Sequence, residues 1–375
     1  MLFPDCICKV VKKILNLQKY TTIRRELRWK KIKTVISIIG GTLLVSLVVL
    51  CVIGYFISRD EFVNPPEEYI HVGKRVYTAA PAMMVDESYD SLTLSGRGVK
   101  IGVLDTGFGG LRQRSWTMDM NVAAYANFID GDTTDFFVKE AGRERDHGAY
   151  SCACMGGTLA SGDTIKGLAY NAEYYLAEID DWDSDLRIEE ERMMSAIRWL
   201  LSHRVDIITS SISYTVFDDY DGYTVAMLDG HSSRISRFVD SVLQANPDLI
   251  FIQAIGNEGD KPWRYASFPA DVKEVIAVGA VEADGMTRTH YSSMGYDGVD
   301  YIKPDVCAYV QPPRNGTSFA APAITGLCAA LLEHKRMGRK ELINLLHASG
   351  LNNSAPDKET GYGIPQTSRM QLLFN

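Results

Sequence analysis

Four side chains of types that can share one reaction stand where apolar runs end or helical patterns begin. Asp105 closes the run VKIGVL in LDTGFGG, and His147 opens a helical stretch in RDHGAYS. Asn257 follows the run DLIFIQAI in GNEGD, and Ser318 opens another helical stretch in NGTSFAAP. A serine hydroxyl is a weak nucleophile. It needs a base to take its proton, a carboxylate to hold that base in the right tautomer, and a donor for the oxyanion that forms. Each residue taken alone has an ordinary structural reading. Asp105 fits a turn, His147 a helix-start cap, GNEG a polar turn, and Ser318 an N-cap with Pro322 tolerated near the first turn. Their joint occurrence turns the reading toward nucleophilic catalysis.

Such groups react only if the chain brings them together, so the elements between them matter. From Gly96 onward, short apolar runs alternate with helical patterns. VKIGVL (99–104), AEYYLAEI (172–179), VDIITSS (205–211), DLIFIQAI (248–255) and KEVIAVGAV (273–281) read as buried strands. LRIEEERMMSAIRWLLSHR sets Met193, Met194, Ile197, Leu200 and Leu201 at helical spacing. SSRISRFVDSVLQA and the stretches near 318–336 and 339–348 read as helices too. Continuous apolar strands separated by amphipathic helices predict a three-layer α/β/α domain whose mostly parallel central sheet is covered on both faces. Sites in such sheets gather at the carboxyl ends of the strands.

Charge divides the 375 residues unevenly around a net −8. Residues 1–33 hold ten Lys and Arg against Asp5 and Glu26, whereas the remainder holds 29 basic and 45 acidic groups. An acidic body argues against a nucleic-acid partner, which needs a basic face. Between the two lies TVISIIGGTLLVSLVVLCVIGYFI, residues 34–57, without a charge. As a helix it would be about 36 Å long and could cross a bilayer. It exceeds a usual signal-peptide core and no small-residue cleavage site follows it, so it reads as a transmembrane signal-anchor. The positive-inside rule then makes 1–33 a basic cytoplasmic segment and puts everything after residue 57 on the extracytoplasmic side. Residues 58–95, with tandem prolines and no sustained period, read as a linker and lead-in to a domain spanning 96–375.

Several of these segments, taken in order, resemble the motifs of the subtilisin-like serine peptidases, the subtilase family. VKIGVLDTGFGG is similar to its aspartate motif, DHGAYSCACMGG to its histidine motif, LIFIQAIGNEG to its oxyanion segment, and NGTSFAAPAITGLCAALL to its serine motif. VDIITSSISY and YSSMGYDGVDYIKPDV resemble its substrate strand and the segment before the serine loop. The resemblance covers about residues 96–367. It implies a serine endopeptidase acting on polypeptides with Ser318 as nucleophile, His147 as base and Asp105 orienting the imidazole. It also implies an oxyanion hole from Asn257 and the Ser318 N–H. Ser211, Ile212 and Ser213 would pair with substrate backbone and form one wall of the specificity pocket, and Ala254, Ile255 and Gly256 the other. Departures are His-Gly-Ala for His-Gly-Thr, a lead-in short for a propeptide, and Ser-Ile-Ser-Tyr for Ser-Leu-Gly-Gly, which adds the Ser213 and Tyr214 side chains near the pocket.

No cofactor is required by that chemistry, but two acidic stretches invite a metal reading. Asp181, Asp183 and Asp185 match the first positions of an EF-hand loop, yet Leu186 replaces the turn glycine and Arg192 the final glutamate. That stretch reads as an acid-rich helix start. If it lines the cleft, basic peptide segments are favoured. FDDYDGYTVAMLDG, with Asp218, Asp219, Asp221 and Asp229, is the candidate for the loop calcium that subtilisin-like proteins often carry, against a plainer reading as a solvated loop. Cys152, Cys154, Cys307 and Cys328 lack zinc spacing and read as buried thiols, with one bridge open; Cys6 and Cys8 precede the span and Cys51 lies in it. Two rival functions remain. An aspartic-protease reading of DTGFGG needs a second such loop or a homodimer of small β-rich chains. A catalytically silent, membrane-anchored peptide-binding domain would have no need of Asp105, His147, Asn257 and Ser318 together.

Overall fold

β-Branched and small residues build the centre of the molecule, where strands must be apolar on both faces. The computed structural model describes residues 94–374 apart from 113, 115–116, 132–145, 158–166, 181–184 and 311–314. The basic segment 1–33, the apolar span 34–57 and all but the end of the linker lie outside the described residues, as do Cys6, Cys8, Cys51, Asp181 and Asp183. No helix among the described residues is long and apolar enough to cross a membrane.

Seven described strands form one sheet: β1 (Lys100–Asp105), β2 (Val122–Asn127), β3 (Glu173–Glu178), β4 (Ile207–Ser210), β5 (Ile250–Ala254), β6 (Ile276–Val281) and β7 (Val306–Tyr309). Their spatial order is β2-β3-β1-β4-β5-β6-β7, and every neighbouring pair is parallel. The helices are α1 (His147–Gly156), α2 (Ile188–Ser202), α3 (Arg234–Ala245), α4 (Thr317–His334), α5 (Arg339–Ser349) and α6 (Thr367–Phe374). Ile101 and Val103 of β1 share one core with Cys152 and Met155 of α1, Ile324 and Leu327 of α4, and Leu342 and Leu346 of α5. Leu104 shares the other with Met193, Ile197 and Leu200 of α2 and Val239 and Leu243 of α3. These are the three layers expected from the alternation. β1 lies between β3 and β4, so the chain reverses its direction of travel across the sheet there, the kind of point at which open α/β sheets place their sites.

Three elements carry no clear sequence signal. β2 is an edge strand, half exposed, whose VAAYAN lacks a run of large apolar residues. β7 is only four residues long, and α6 closes the chain. The start of α4 also differs from a simple capping picture. Its N-cap is Gly316, Ser318 is the second helical residue, and Pro322 lies inside the helix rather than in its first turn. A proline N–H is missing where the Ser318 carbonyl would receive its helical bond. That carbonyl accepts the Ser211 hydroxyl instead, at 3.0 Å.

Carboxylates at the acid-rich start of α2 take donors from the protein. Glu189 accepts the Leu186 N–H at 2.8 Å, and Glu190 accepts the Tyr223 hydroxyl at 2.5 Å. In the second acidic stretch, Asp219 accepts the Arg187 N–H, and Asp229 accepts the N–H groups of His231 and Ser232. Among the described residues no group of three or more His, Cys, Asp or Glu side chains is placed to hold a metal ion. Cys152, Cys154, Cys307 and Cys328 are all buried free thiols.

Candidate active site

Asp105 ends β1 fully buried and binds the Thr106 N–H through Oδ1 at 2.8 Å. The chain beyond it docks on the start of α1: Gly148 donates its N–H to the carbonyls of Thr106 (3.0 Å) and Gly107 (2.9 Å). A Cβ at Gly148 would stand 2.6 Å from Phe108 and 2.8 Å from the Gly107 carbonyl, so only glycine lets the helix approach this closely. The docking sets His147 Nδ1 2.5 Å from Asp105 Oδ1. With Nδ1–H donating to the carboxylate, Nε2 keeps the lone pair a base needs. Burial of the ring opposes its charged form, but the charge and hydrogen bond of Asp105, with the fields of Asp146 and Asp180, hold the imidazole above its ordinary value.

The ring of His147 packs against Phe319 at a centroid distance of 5.2 Å, which brings the base to the start of α4. Ser318 is 9% exposed there, and its Oγ makes a long 3.4 Å bond to the Ser211 carbonyl, a length that leaves its proton easily redirected. Ser211 Oγ in turn lies 3.3 Å from Ser151 Oγ on α1. Its own proton goes to the Ser318 carbonyl, so Ser151 is the donor of that pair. Hydroxyls thus link α1, the segment after β4, and α4.

Asn257 follows β5 and is held by its oxygen. Its Oδ1 accepts from the N–H of Thr317 (2.9 Å) and from the Thr317 hydroxyl (3.2 Å), so Nδ2 is the end left to donate. The Thr317 hydroxyl also receives the Gly256 N–H at 3.3 Å, which ties the segment after β5 to the start of α4. Gly256 has φ +112°, and a Cβ there would meet Ser267 Oγ at 2.2 Å. Ser318 N–H is among the first donors of α4, which have no helical acceptor. Asn257 is thus anchored on the residue before Ser318 with its amide nitrogen left as a donor, and an amide and a helix-start N–H are groups that can stabilise a developing oxyanion.

Residues 211–213 follow the end of β4. Ile212 is buried, its N–H bound to Ser210 Oγ and its carbonyl to Gln253 Nε2 at 2.9 Å, while Ser211 and Ser213 are half-buried. Ala254, Ile255 and Gly256 continue from the neighbouring β5, all buried. Tyr214 departs from expectation. It turns into the apolar layer against α2, where its hydroxyl donates to the Glu189 carbonyl. Partial desolvation and the carboxylates of Asp218 and Glu258 raise Asp185, with Lys261, which pairs with Glu258 at 2.9 Å, acting against them. Thr317, Gln253, Phe319 and Ser151 escaped the sequence reading. Thr317 stood inside a quoted motif, but nothing in its type announced a double hold on Asn257.

Across residues 96–363 the chain matches the family model of the subtilases, peptidase S8. The chain belongs to the subtilase family. As a subtilase it is a subtilisin-like serine endopeptidase, a hydrolase. It is 25% identical to subtilisin BL of Lederbergia lenta over 248 residues, 64% of this chain and 78% of that one. It is 24% identical to the major intracellular serine protease of Bacillus subtilis over 260 residues, 64% of this chain and 70% of that one. Among solved structures, the Clostridium perfringens CspB protease superposes with a TM-score of 0.64 at 16% identity, covering 80% of this chain and all of the other, a likeness of fold.

Proposed function

We propose that this subtilase cleaves internal peptide bonds through an acyl-enzyme on Ser318. The Ser318 proton passes to His147 Nε2 as Oγ attacks the scissile carbonyl carbon. Asp105 holds the Nδ1–H and stabilises the imidazolium. The carbonyl oxygen becomes an oxyanion that accepts from Asn257 Nδ2 and the Ser318 N–H. The C–N bond breaks as the imidazolium returns the proton to the leaving amine. Water then repeats the sequence on the ester and restores the hydroxyl. The substrate backbone adds as a strand to Ser211, Ile212 and Ser213, and Ala254, Ile255 and Gly256 face it across the pocket. No cofactor takes part. Peptides bearing Lys or Arg near the cut suit the carboxylates of Asp185 and Asp218; a library profile indifferent to Lys and Arg would argue against that preference.

One observation carries the catalytic reading: His147 joins Asp105 at 2.5 Å while packing on Phe319, the residue after Ser318. A fluorophosphonate probe should label wild-type protein and spare Ser318→Ala, and the same substitution should lower kcat on a casein-like substrate by about 10⁴-fold or more. Equal activity of the two proteins would refute the mechanism. Peptide binding without turnover, unchanged in Ser318→Ala, would instead favour a silent binding domain.

The charge division supports a location. Ten basic residues precede the uncharged stretch 34–57 and Arg59, Asp60 and Glu61 follow it. The reading is a single-pass anchor with the N-terminus cytoplasmic and the peptidase domain extracytoplasmic. Release of the full chain from membranes by alkaline carbonate, without detergent, would overturn it.

A further inference from the structure

Asp146 stands immediately before the base, so chain order alone puts a carboxylate beside the ring. That carboxylate is not used to cap α1: Asp146 holds the N-cap position, yet its side chain makes no cap hydrogen bond. Its Oδ2 lies 2.6 Å from Nη2 of Arg114 instead, with the two side chains 3% and 11% exposed. The same guanidinium donates through Nη1 to the Tyr150 hydroxyl at 2.9 Å and lies over that ring at 4.7 Å. Tyr150 is one turn into α1. Arg114 itself belongs to the turns after β1, where its N–H bonds to the Gly110 carbonyl and its carbonyl accepts from Thr117 and Met118. One stretch of chain therefore grips α1 twice, with Asp105 on the imidazole and Arg114 on the residue before it.

We propose that Arg114 is a positioning residue for the base: its pair with Asp146 and its contact with Tyr150 seat the first turn of α1 and cancel the charge next to His147. The proposal rests on the reading of His147 as the base for Ser318. Among the described residues, the carboxylates that act on the ring are Asp105 from β1, Asp146 ahead of α1 and Asp180 after β3. Cys152 on α1 is a buried neutral thiol, and α4 contributes the uncharged Phe319. Arg114 opposes the Asp146 field. With that opposition removed the Asp146 carboxylate eases formation of the imidazolium, and the base is lost to protonation at a higher pH.

The test is kcat/KM against pH for the detergent-solubilised full chain. Arg114→Met should move the acid limb up by about one pH unit. Arg114→Lys, which keeps the charge, should bring it back, and so should the double variant Arg114→Met, Asp146→Asn. A merely structural arginine would leave the limb in place or move it equally in all three, and either result overturns the proposal. If Arg114→Met fails to fold, Asp146→Asn alone should move the limb down, and an unmoved limb there overturns it too. Ser318→Ala in the same assay reads the catalytic assignment separately: activity surviving that change sinks the assignment, whatever Arg114 does.

Discussion

Among the described residues two buried aspartates each meet a half-buried histidine at the same sequence separation, Asp105 with His147 and Asp305 with His347, and the fold gives them different surroundings. Asp305 is satisfied on both oxygens. Oδ2 accepts from Lys303 Nζ at 2.6 Å and the Ala277 N–H at 2.8 Å, and Oδ1 meets His347 Nε2 at 3.0 Å. The His347 ring lies flat on Tyr362 at 3.8 Å. Asp105 has the Thr106 N–H and His147 on one oxygen, and its buried Oδ2 has no partner among the described residues. No ammonium among the described residues is bonded to it, and its imidazole leans on the residue next to a serine. Asp305 therefore shares its charge between a lysine and a histidine. The Asp105 carboxylate keeps its field for the imidazolium, which is what a base that must take and return a proton requires.

Exchanging roles between the pairs should fail, and the largest effect falls on turnover. Asp105→Asn should lower kcat by about 10⁴-fold, because the amide favours the wrong imidazole tautomer, whereas Asp305→Asn should leave kcat per folded molecule unchanged. Steady-state kinetics on both variants, with active-site titration, checks this; comparable losses would erase the distinction. Next in size is stability. Lys303→Met should destabilise the protein by about 3–5 kcal/mol, since it strands a buried carboxylate, again with kcat unchanged. Urea denaturation followed by two probes measures it.

The smallest effect is one of sign with pH. Burial works against the Asp305 charge, but Lys303 and His347 hold its carboxyl below the usual range. Its stabilisation is therefore present above the ordinary aspartate value of about 3.9 and is lost as pH falls through the lower folded value. His147 is raised, so its share is present below about 6.5 and is lost as pH rises through the folded value. Melting temperatures should show Asp305→Asn flattening the acid side of the profile and Asp105→Asn the neutral side. The same slope in both variants would show that the pairs do not differ in this way.

Much of the frame could be read from residue patterns, and the failures have physical causes. β1, β3, β4, β5 and β6 are runs buried on both faces, which composition alone announces. β2 and β7 are short and lie at the sheet edges, where less apolar surface is asked of them. Ser318 looked like an N-cap because serine suits that position, but Gly316 caps α4 and Pro322 frees the Ser318 carbonyl for Ser211. Tyr214 looked like a pocket residue because it adjoins Ser213, yet strand alternation turns it inward to α2.

Residue types and order by themselves determined the reaction class. They supply an acid, a base, an amide donor and a hydroxyl at strand and helix ends of a parallel α/β pattern, and those ends meet in any such sheet. Tertiary structure alone decided which aspartate–histidine pair is available for that reaction. It also placed Arg114 on Asp146 and anchored the oxygen of Asn257 on Thr317. Such pairings join residues tens of positions apart through the register of β1, β4 and β5 and the docking of α1 and α4. A local pattern can show that a side chain is able to make a bond, but its partner is set by packing.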